Sequence, residues 1–301
     1  MKAVEVKNIF VDTAKEWSED QGSRLAAALA YYTAFSLAPL LVIVLAVAGL
    51  VGGKAAASGI LMSQLQDLFG VQGREFIQGM IENATIKSTG ITASVIGTIT
   101  LLLGALGTFN ELQGALNRIW DVKPKPLTTW GARIKDFLFK RLLSFSMVLG
   151  IGFLLLVSLI VSAIIAAMSG FFTGLPIAPN VILQVINQLV SLAIITLLFA
   201  LIFKYVPDIK ISWRHVLPGA LLTAILFTIG KYLIGLYLGT SNVGSTFGAA
   251  GSLALIMIWI YYSAQILFLG AEFTQVFDKK LRPHPTAHVD DKVAEPRQKA
   301  S

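Results

Sequence analysis

Three charged side chains lie inside long apolar stretches of the chain, where charge is unusual. Glu111, Lys231 and Glu272 each interrupt a run of hydrophobic residues. A charged group is costly to place in lipid, and it commonly marks a substrate or ion pathway. The lysine could attract an anionic headgroup, and the two carboxyls could belong to a charged network at the mouth of a cavity. These three residues are therefore candidate functional residues.

Depth along each run leaves a second interpretation open. Lys231 lies about 15 residues, or roughly 22 Å, from the start of its run, so it could instead extend its amino group to the far membrane surface. Glu111 and Glu272 lie at similar depth near the opposite surface. They could simply pair with a rim of basic residues, namely Arg24, Arg118, Arg141 and Lys204. The difference in depth argues against a pair between Lys231 and Glu111.

Two polar stripes accompany these charges. Tyr32, Ser36 and Pro39 share one face of the first apolar run, and Pro39 predicts a kink there because it lacks a backbone donor. Tyr261 and Gln265 share a face with Glu272 in the last run. Either stripe could line a cavity or could pack helices together.

No enzyme constellation is present. The chain has no cysteine and three histidines, His215, His284 and His288, two of which fall in a polar tail. It contains no HExxH motif, no phosphate-binding loop and no GxSxG elbow. We therefore expect no enzymatic activity, no cofactor and no bound metal.

The composition places all these residues in a membrane. The 301 residues are 55% hydrophobic and only 14% charged, with a mean hydropathy of +0.73. A soluble domain has about 25% charged residues. Six runs are long enough to cross a hydrocarbon core of about 30 Å as helices. They are 25–51, 91–116, 142–169, 181–205, 216–239 and 252–277. The sequence thus predicts an all-α, polytopic integral membrane protein with six transmembrane helices.

Basic residues predict the orientation. Of the 24 lysines and arginines, twenty lie in the N-terminal segment, the even-numbered loops and the tail, three lie on the opposite side, and one is Lys231. This asymmetry predicts that both termini are cytoplasmic. It also accounts for the net charge of +7 without nucleic-acid binding, and it favours membrane lipids, including anionic lipid, as partners. The first 24 residues do not resemble a cleavable signal peptide.

The remaining segments divide the chain. Residues 1–24 form an N-terminal cytoplasmic segment in which 4–17 predicts an amphipathic helix. Residues 25–278 form the membrane domain, with an amphipathic external segment at 55–90. Within it, 59–82 predicts two short helices separated by a break at Gly70 and Gly73. Residues 279–301 are polar and predict a disordered tail.

Several stretches together resemble the YihY/BrkB family of bacterial inner-membrane proteins. They are AAALAYYTAFSLAPLL (26–41), FNELQGALNRIWDVK (109–123), KRLLSF (140–145), YVPDIKISWRHVLPGA (205–220) and GSLALIMIWIYYSAQILFLGAEF (251–273). The resemblance implies a six-helix inner-membrane protein, an association with envelope integrity and virulence, and for some members the handling of envelope lipids. An old ribonuclease label travels with the family, but no residue set in this chain fits a nuclease.

These observations favour a transporter-like or lipid-handling envelope protein. Its cavity would be lined by the kinked first helix, the Lys231 face of the fifth and the polar face of the sixth. The alternative is a membrane scaffold that recruits envelope proteins through 59–82 and transports nothing. The sequence leaves the substrate and the oligomeric state open.

Overall fold

A computed structural model describes residues 3–86, 107–122, 179–240 and 243–281, and every regular element in these ranges is a helix. Helix α1 is Ala3–Glu19, α2 is Gly22–Gly52 and α3 is Lys54–Ile86. Helix α4 comprises 107–119. Helix α5 is Pro179–Tyr205, α6 is Trp213–Thr240 and α7 is Val243–Leu281. The all-α prediction is confirmed for this part of the chain.

Three of the described helices are long and apolar enough to cross a membrane. They span Val185–Tyr205, Trp213–Ile234 and Leu253–Leu281. They coincide with the predicted runs 181–205, 216–239 and 252–277. The run 25–51 is helical within α2, which continues through Pro39. The run 91–116 is described only from 107, and the run 142–169 lies outside the described residues.

A core of aromatic and aliphatic side chains joins α2, α4, α5, α6 and α7. Phe203 and Phe268 are fully buried at its centre, and Phe203 lies beside Trp120, with ring centroids 6.3 Å apart. A second cluster, around Trp259 and Ile260, joins the middle of α2 and α7 to α3. These clusters fix the helices that present the polar residues of the site.

Helices α6 and α7 approach each other through a reciprocal pair of small residues. A Cβ added at Gly219 would lie 1.8 Å from Thr274 Oγ1, and one added at Gly270 would lie 1.8 Å from Thr223 Oγ1. Each threonine donates a hydrogen bond to the glycine carbonyl four residues before it on its own helix. Only glycine permits such proximity, which is the usual way in which small residues bring membrane helices together. We call these four residues the Gly–Thr contact.

Helix α3 covers the segment 59–82, for which the sequence predicts two short helices. Its residues are helical from Lys54 to Ile86, so the predicted separation into two helices is not seen, although the chain changes direction near the predicted break at Gly70 and Gly73. Glycine in a helix interior costs only about 1 kcal/mol relative to alanine, which the packing of α3 on α2 offsets. Ser58 and Glu82 nevertheless line one cavity, although a straight helix would separate them by about 36 Å. The helical run therefore folds back between two arms that face each other.

Helix α1 forms where the sequence predicts it and packs against the end of α7. Ile9 and Thr13 are buried, and the Phe10 ring lies 5.4 Å from that of Phe273. Lys280 pairs with Asp12 at 2.6 Å. The helix thus joins the bundle through one apolar face and a charged edge.

Candidate functional site

The richest group of polar side chains lies at the end of the bundle where α1, the C-terminal part of α4, the 206–212 segment and the last turns of α7 meet. We call this region the α1 end. Helix α4 ends there with Asp121 in the left-handed region, at φ 52°. Val122 N donates to Asn117 O and Asp121 N to Arg118 O, which completes a Schellman motif. This ending directs the Asp121 carboxylate toward Lys279, 3.2 Å away.

Glu272 is the deepest charged residue of the α1 end. It is completely buried, and neither carboxyl oxygen has a hydrogen-bond partner in the described part of the chain. The nearby Gln275 donates through Nε2 to Ile119 O at 2.5 Å, while its own Oε1 is buried without a partner. Burying a carboxylate without a partner costs several kcal/mol, so the protonated form is the less costly one to bury.

The basic rim does not neutralise Glu272. Arg118 donates through Nε to Asp20 Oδ1 at 3.5 Å, and the Lys204 amino group donates to the Ile211 carbonyl. Among the described residues no ion pair reaches Glu272 or Glu111. Arg141 lies outside the described residues. Arg118 and Lys204 thus serve other acceptors, and Glu272 has no ion-pair partner within the described ranges.

A belt of bonded polar groups lies at the same α1 end as Glu272. Asn117 and Gln113 donate to the two carboxylate oxygens of Asp208, at 2.9 and 3.2 Å. His215 Nδ1 contacts the carboxylate of Asp278. Burial raises the pKa of the Asp20 carboxyl, and the hydrogen bond from Arg118 opposes this rise. The belt keeps its charges satisfied, in contrast to Glu272.

The predicted stripe on α2 meets α4. Ser36 is buried, and its Oγ lies 2.8 Å from Thr108 Oγ1. The Tyr32 ring lies against Gly107, where an added Cβ would come within 3.1 Å of it. The side chain of Pro39 lies outside the described residues. In the described residues, Tyr32 and Ser36 thus take part in the packing of α2 on α4.

The Ser36–Thr108 bond allows a direct test of this packing. We expect Ser36→Ala and Thr108→Val each to lower the free energy of unfolding by about 0.5–1.5 kcal/mol, and the double variant to lose less than the sum. Unfolding in mixed micelles with increasing SDS would measure this. Ser263→Ala is the control, since that hydroxyl donates within its own helix to Trp259 O. Full additivity of the two substitutions would contradict the bond.

The other predicted residues lie at different levels of the bundle. Lys231 is half-buried on α6 and follows Gly230, which packs on the Tyr262 ring. Tyr262 precedes Glu272 by ten residues, so Lys231 lies about 15 Å along the bundle from Glu272. Tyr261 is half-buried at the level of Lys231, Gln265 is half-buried between the two levels, and Glu111 is half-buried on α4. Within the described ranges, the cavity that the structure shows is not lined by any of these residues.

A cavity of about 430 Å³ lies at the other end of α2, and none of the predicted site residues lines it. Its walls are the two arms of α3 together with Leu45 of α2. Arg74 donates through Nη1 to Gln66 Oε1 at 2.8 Å, and Gln78 donates to Glu82 at 2.9 Å. A polar stripe of Arg74, Gln78 and Glu82 at four-residue spacing was the sequence signal for this cavity.

Metal binding finds no support in the described residues, where no three His, Asp or Glu side chains are grouped to hold an ion.

Sequence reasoning also missed the Gly–Thr contact, although Gly219 and Thr223, like Gly270 and Thr274, have the spacing of small residues that promotes helix packing.

Comparison with known proteins identifies the family of this bundle. The family model described as "Virulence factor BrkB" matches residues 13–294. The chain belongs to the BrkB virulence-factor family. A UPF0761 membrane protein of Mannheimia succiniciproducens is 26% identical over 90% of both chains. One from Aeromonas salmonicida is 27% identical over 89% of both chains.

A third BrkB-family relative is longer. The UPF0761 membrane protein of Stenotrophomonas maltophilia strain K279a is 30% identical over 85% of this chain and 57% of its own length. No solved structure matches this chain. Together with the apolar helices, these relatives establish a membrane protein of the BrkB family.

Proposed function

We propose that this chain spans a bacterial inner membrane six times, with both termini in the cytoplasm. The excess of basic residues beside the α1 end supports this orientation, because positive loops remain on the cytoplasmic side. On this topology Glu272 lies near the cytoplasmic surface. Lys231 and the cavity between the arms of α3 then lie toward the outer surface.

The proposed function is the movement or handling of an anionic membrane lipid. One observation supports it above the others: a completely buried Glu272 carboxyl without a described partner, inside a helix apolar enough to span a membrane. A purely structural helix would gain stability from an apolar residue there. An ionisable group retained at such cost is typical of carriers, in which it gains and loses a proton as the protein changes conformation.

Lys231 supplies the second part of the proposal. It is half-buried on a predicted spanning helix at a depth where a positive charge is costly. An anionic headgroup would neutralise it, as basic pockets between membrane helices do for acidic lipids. We propose no enzymatic step, cofactor or nucleic-acid partner.

Lys231→Ala tests the proposal. We expect wild-type protein extracted with its lipid to retain an anionic phospholipid in native mass spectrometry, and the variant to retain about tenfold less. In liposomes, wild type should accelerate the exchange of a fluorescent anionic phospholipid between leaflets, and the variant should not. Lys7→Ala, an exposed lysine of α1, is the control for charge alone.

Two results would decide against this function. Equal lipid retention by wild-type protein and Lys231→Ala would mean that the Lys231 side chain merely extends to the membrane surface. No exchange by wild type, together with loss of an envelope phenotype when 59–82 is replaced, would favour the scaffold, whose external segment would recruit envelope proteins.

A further inference from the structure

The cavity between the arms of α3 contains two opposite charges that do not neutralise each other. Arg74 and Glu82 both line it, yet neither forms an ion pair with another residue that the structure describes. They are eight residues apart on one arm, or about 12 Å along its axis. A cavity of about 430 Å³ is within the range of roughly 300–1,000 Å³ that small-molecule sites occupy.

Each charge is held in place by a glutamine. Gln66, from the opposite arm, accepts a hydrogen bond from Arg74 Nη1 at 2.8 Å, while the buried Arg74 Nε has no described partner. Gln78 donates through Nε2 to Glu82 Oε1 at 2.9 Å. A guanidinium has five N–H donors, so most of those of Arg74 remain for a ligand. Both charged groups are thus oriented by hydrogen bonds; the Glu82 carboxylate faces solvent, and the buried Arg74 Nε is the atom left without a described partner.

We propose that this cavity binds a small zwitterion, with its phosphate or carboxylate on Arg74 and its ammonium group on Glu82. The guanidinium fork suits an oxyanion, because it can donate two parallel hydrogen bonds. Glu82 would repel a purely anionic ligand and accept hydrogen bonds from an ammonium group. Ser58 and Ser63 add hydroxyl groups to the wall, and Leu45 and Met62 add apolar surface.

This chemistry has two sources, a lipid headgroup such as phosphoethanolamine and a free soluble zwitterion. The site stands on the cavity and its charges, and it does not depend on the movement of lipid proposed above.

Isothermal titration of the purified full-length protein with phosphoethanolamine tests the site. We expect Arg74→Gln and Glu82→Gln each to weaken binding about tenfold or more, the loss typical of one charge-assisted hydrogen bond. Inorganic phosphate and ethanolamine alone should each bind more weakly than the joined molecule. Glu75→Gln is the matched control, because this exposed carboxylate neighbours Arg74 and does not line the cavity.

Nanodiscs then distinguish the sources. Protection of Arg74-arm amides from hydrogen exchange by phosphatidylethanolamine, but not by phosphatidylglycerol, would assign the lipid headgroup. Protection by soluble phosphoethanolamine alone would assign the free zwitterion. Arg74→Lys, which keeps the charge and the fold, should retain part of the affinity. Equal binding of phosphate and phosphoethanolamine, or unchanged binding by a folded Glu82→Gln variant, would overturn the proposal.

Discussion

Gly270→Ala is expected to destabilise the bundle by about 1–3 kcal/mol or more, the range for overfilling a packed interior. The new methyl group would lie 1.8 Å from Thr223 Oγ1 and 2.9 Å from Thr223 Cβ, and neither atom is the end of a flexible side chain. Relief requires α6 and α7 to separate, which disturbs the core around Phe268. The midpoint of thermal unfolding in detergent would measure the loss.

Two further variants make this result specific. Thr223→Ala combined with Gly270→Ala should restore part of the stability, because it removes the closest atom. Gly114→Ala is the control: nothing lies within 4 Å of the added methyl group, and alanine favours the helix by up to about 1 kcal/mol. If Gly270→Ala and Gly114→Ala changed the unfolding midpoint equally, the close approach of α6 and α7 would be refuted.

Glu272→Gln is expected to leave the fold intact and to abolish most activity. Glutamine has nearly the same shape as the protonated carboxyl, so the unfolding midpoint should stay constant or rise, since no charge can form in the interior. A carrier that exchanges a proton at this position would lose its lipid exchange by tenfold or more. The assay is fluorescent-lipid exchange in liposomes at several values of pH, where the variant should also lose any pH dependence.

Glu111→Gln provides the comparison for this result. Glu111 is a carboxyl at similar predicted depth, but it is half-buried rather than enclosed. The Glu111→Gln variant should therefore retain more lipid-exchange activity than Glu272→Gln. Wild-type exchange rates in a folded Glu272→Gln variant would remove the main support for a carrier.

Hydropathy located the three spanning helices that the structure describes, because lipid leaves the backbone no other option. The predicted run 181–205 and helix α5 end at the same residue, Tyr205, and α1 forms over the predicted amphipathic segment. The prediction at Gly70 and Gly73 held for its place but not for its form, because the chain turns back there while the helical assignment continues. Glycine lowers helix stability locally, whereas contacts of the α3 arms with α2 decide whether the helix continues.

The site was only partly predictable, because depth along a helix does not reveal which way a side chain points. Glu272 was identified as unusual from its position in an apolar run. Its lack of partners depends on where Arg118 and Lys204 direct their donors, which sequence cannot supply. Arg74 was passed over because its significance comes from Gln66 on the opposite arm.

The close approach of α6 and α7 joins these two helices into one rigid unit. The Gly–Thr contact and the packing of Gly230 on Tyr262 leave no room for one helix to slide along the other. This helix pair packs on α1 at one end and contacts α3 toward the other end. Helix α6, with 28 residues, is about 42 Å long, so a tilt of about 10° displaces its far end by about 7 Å. A slight rocking at α1 would thereby be amplified beside the α3 arms to more than the roughly 5.4 Å rise of a helical turn.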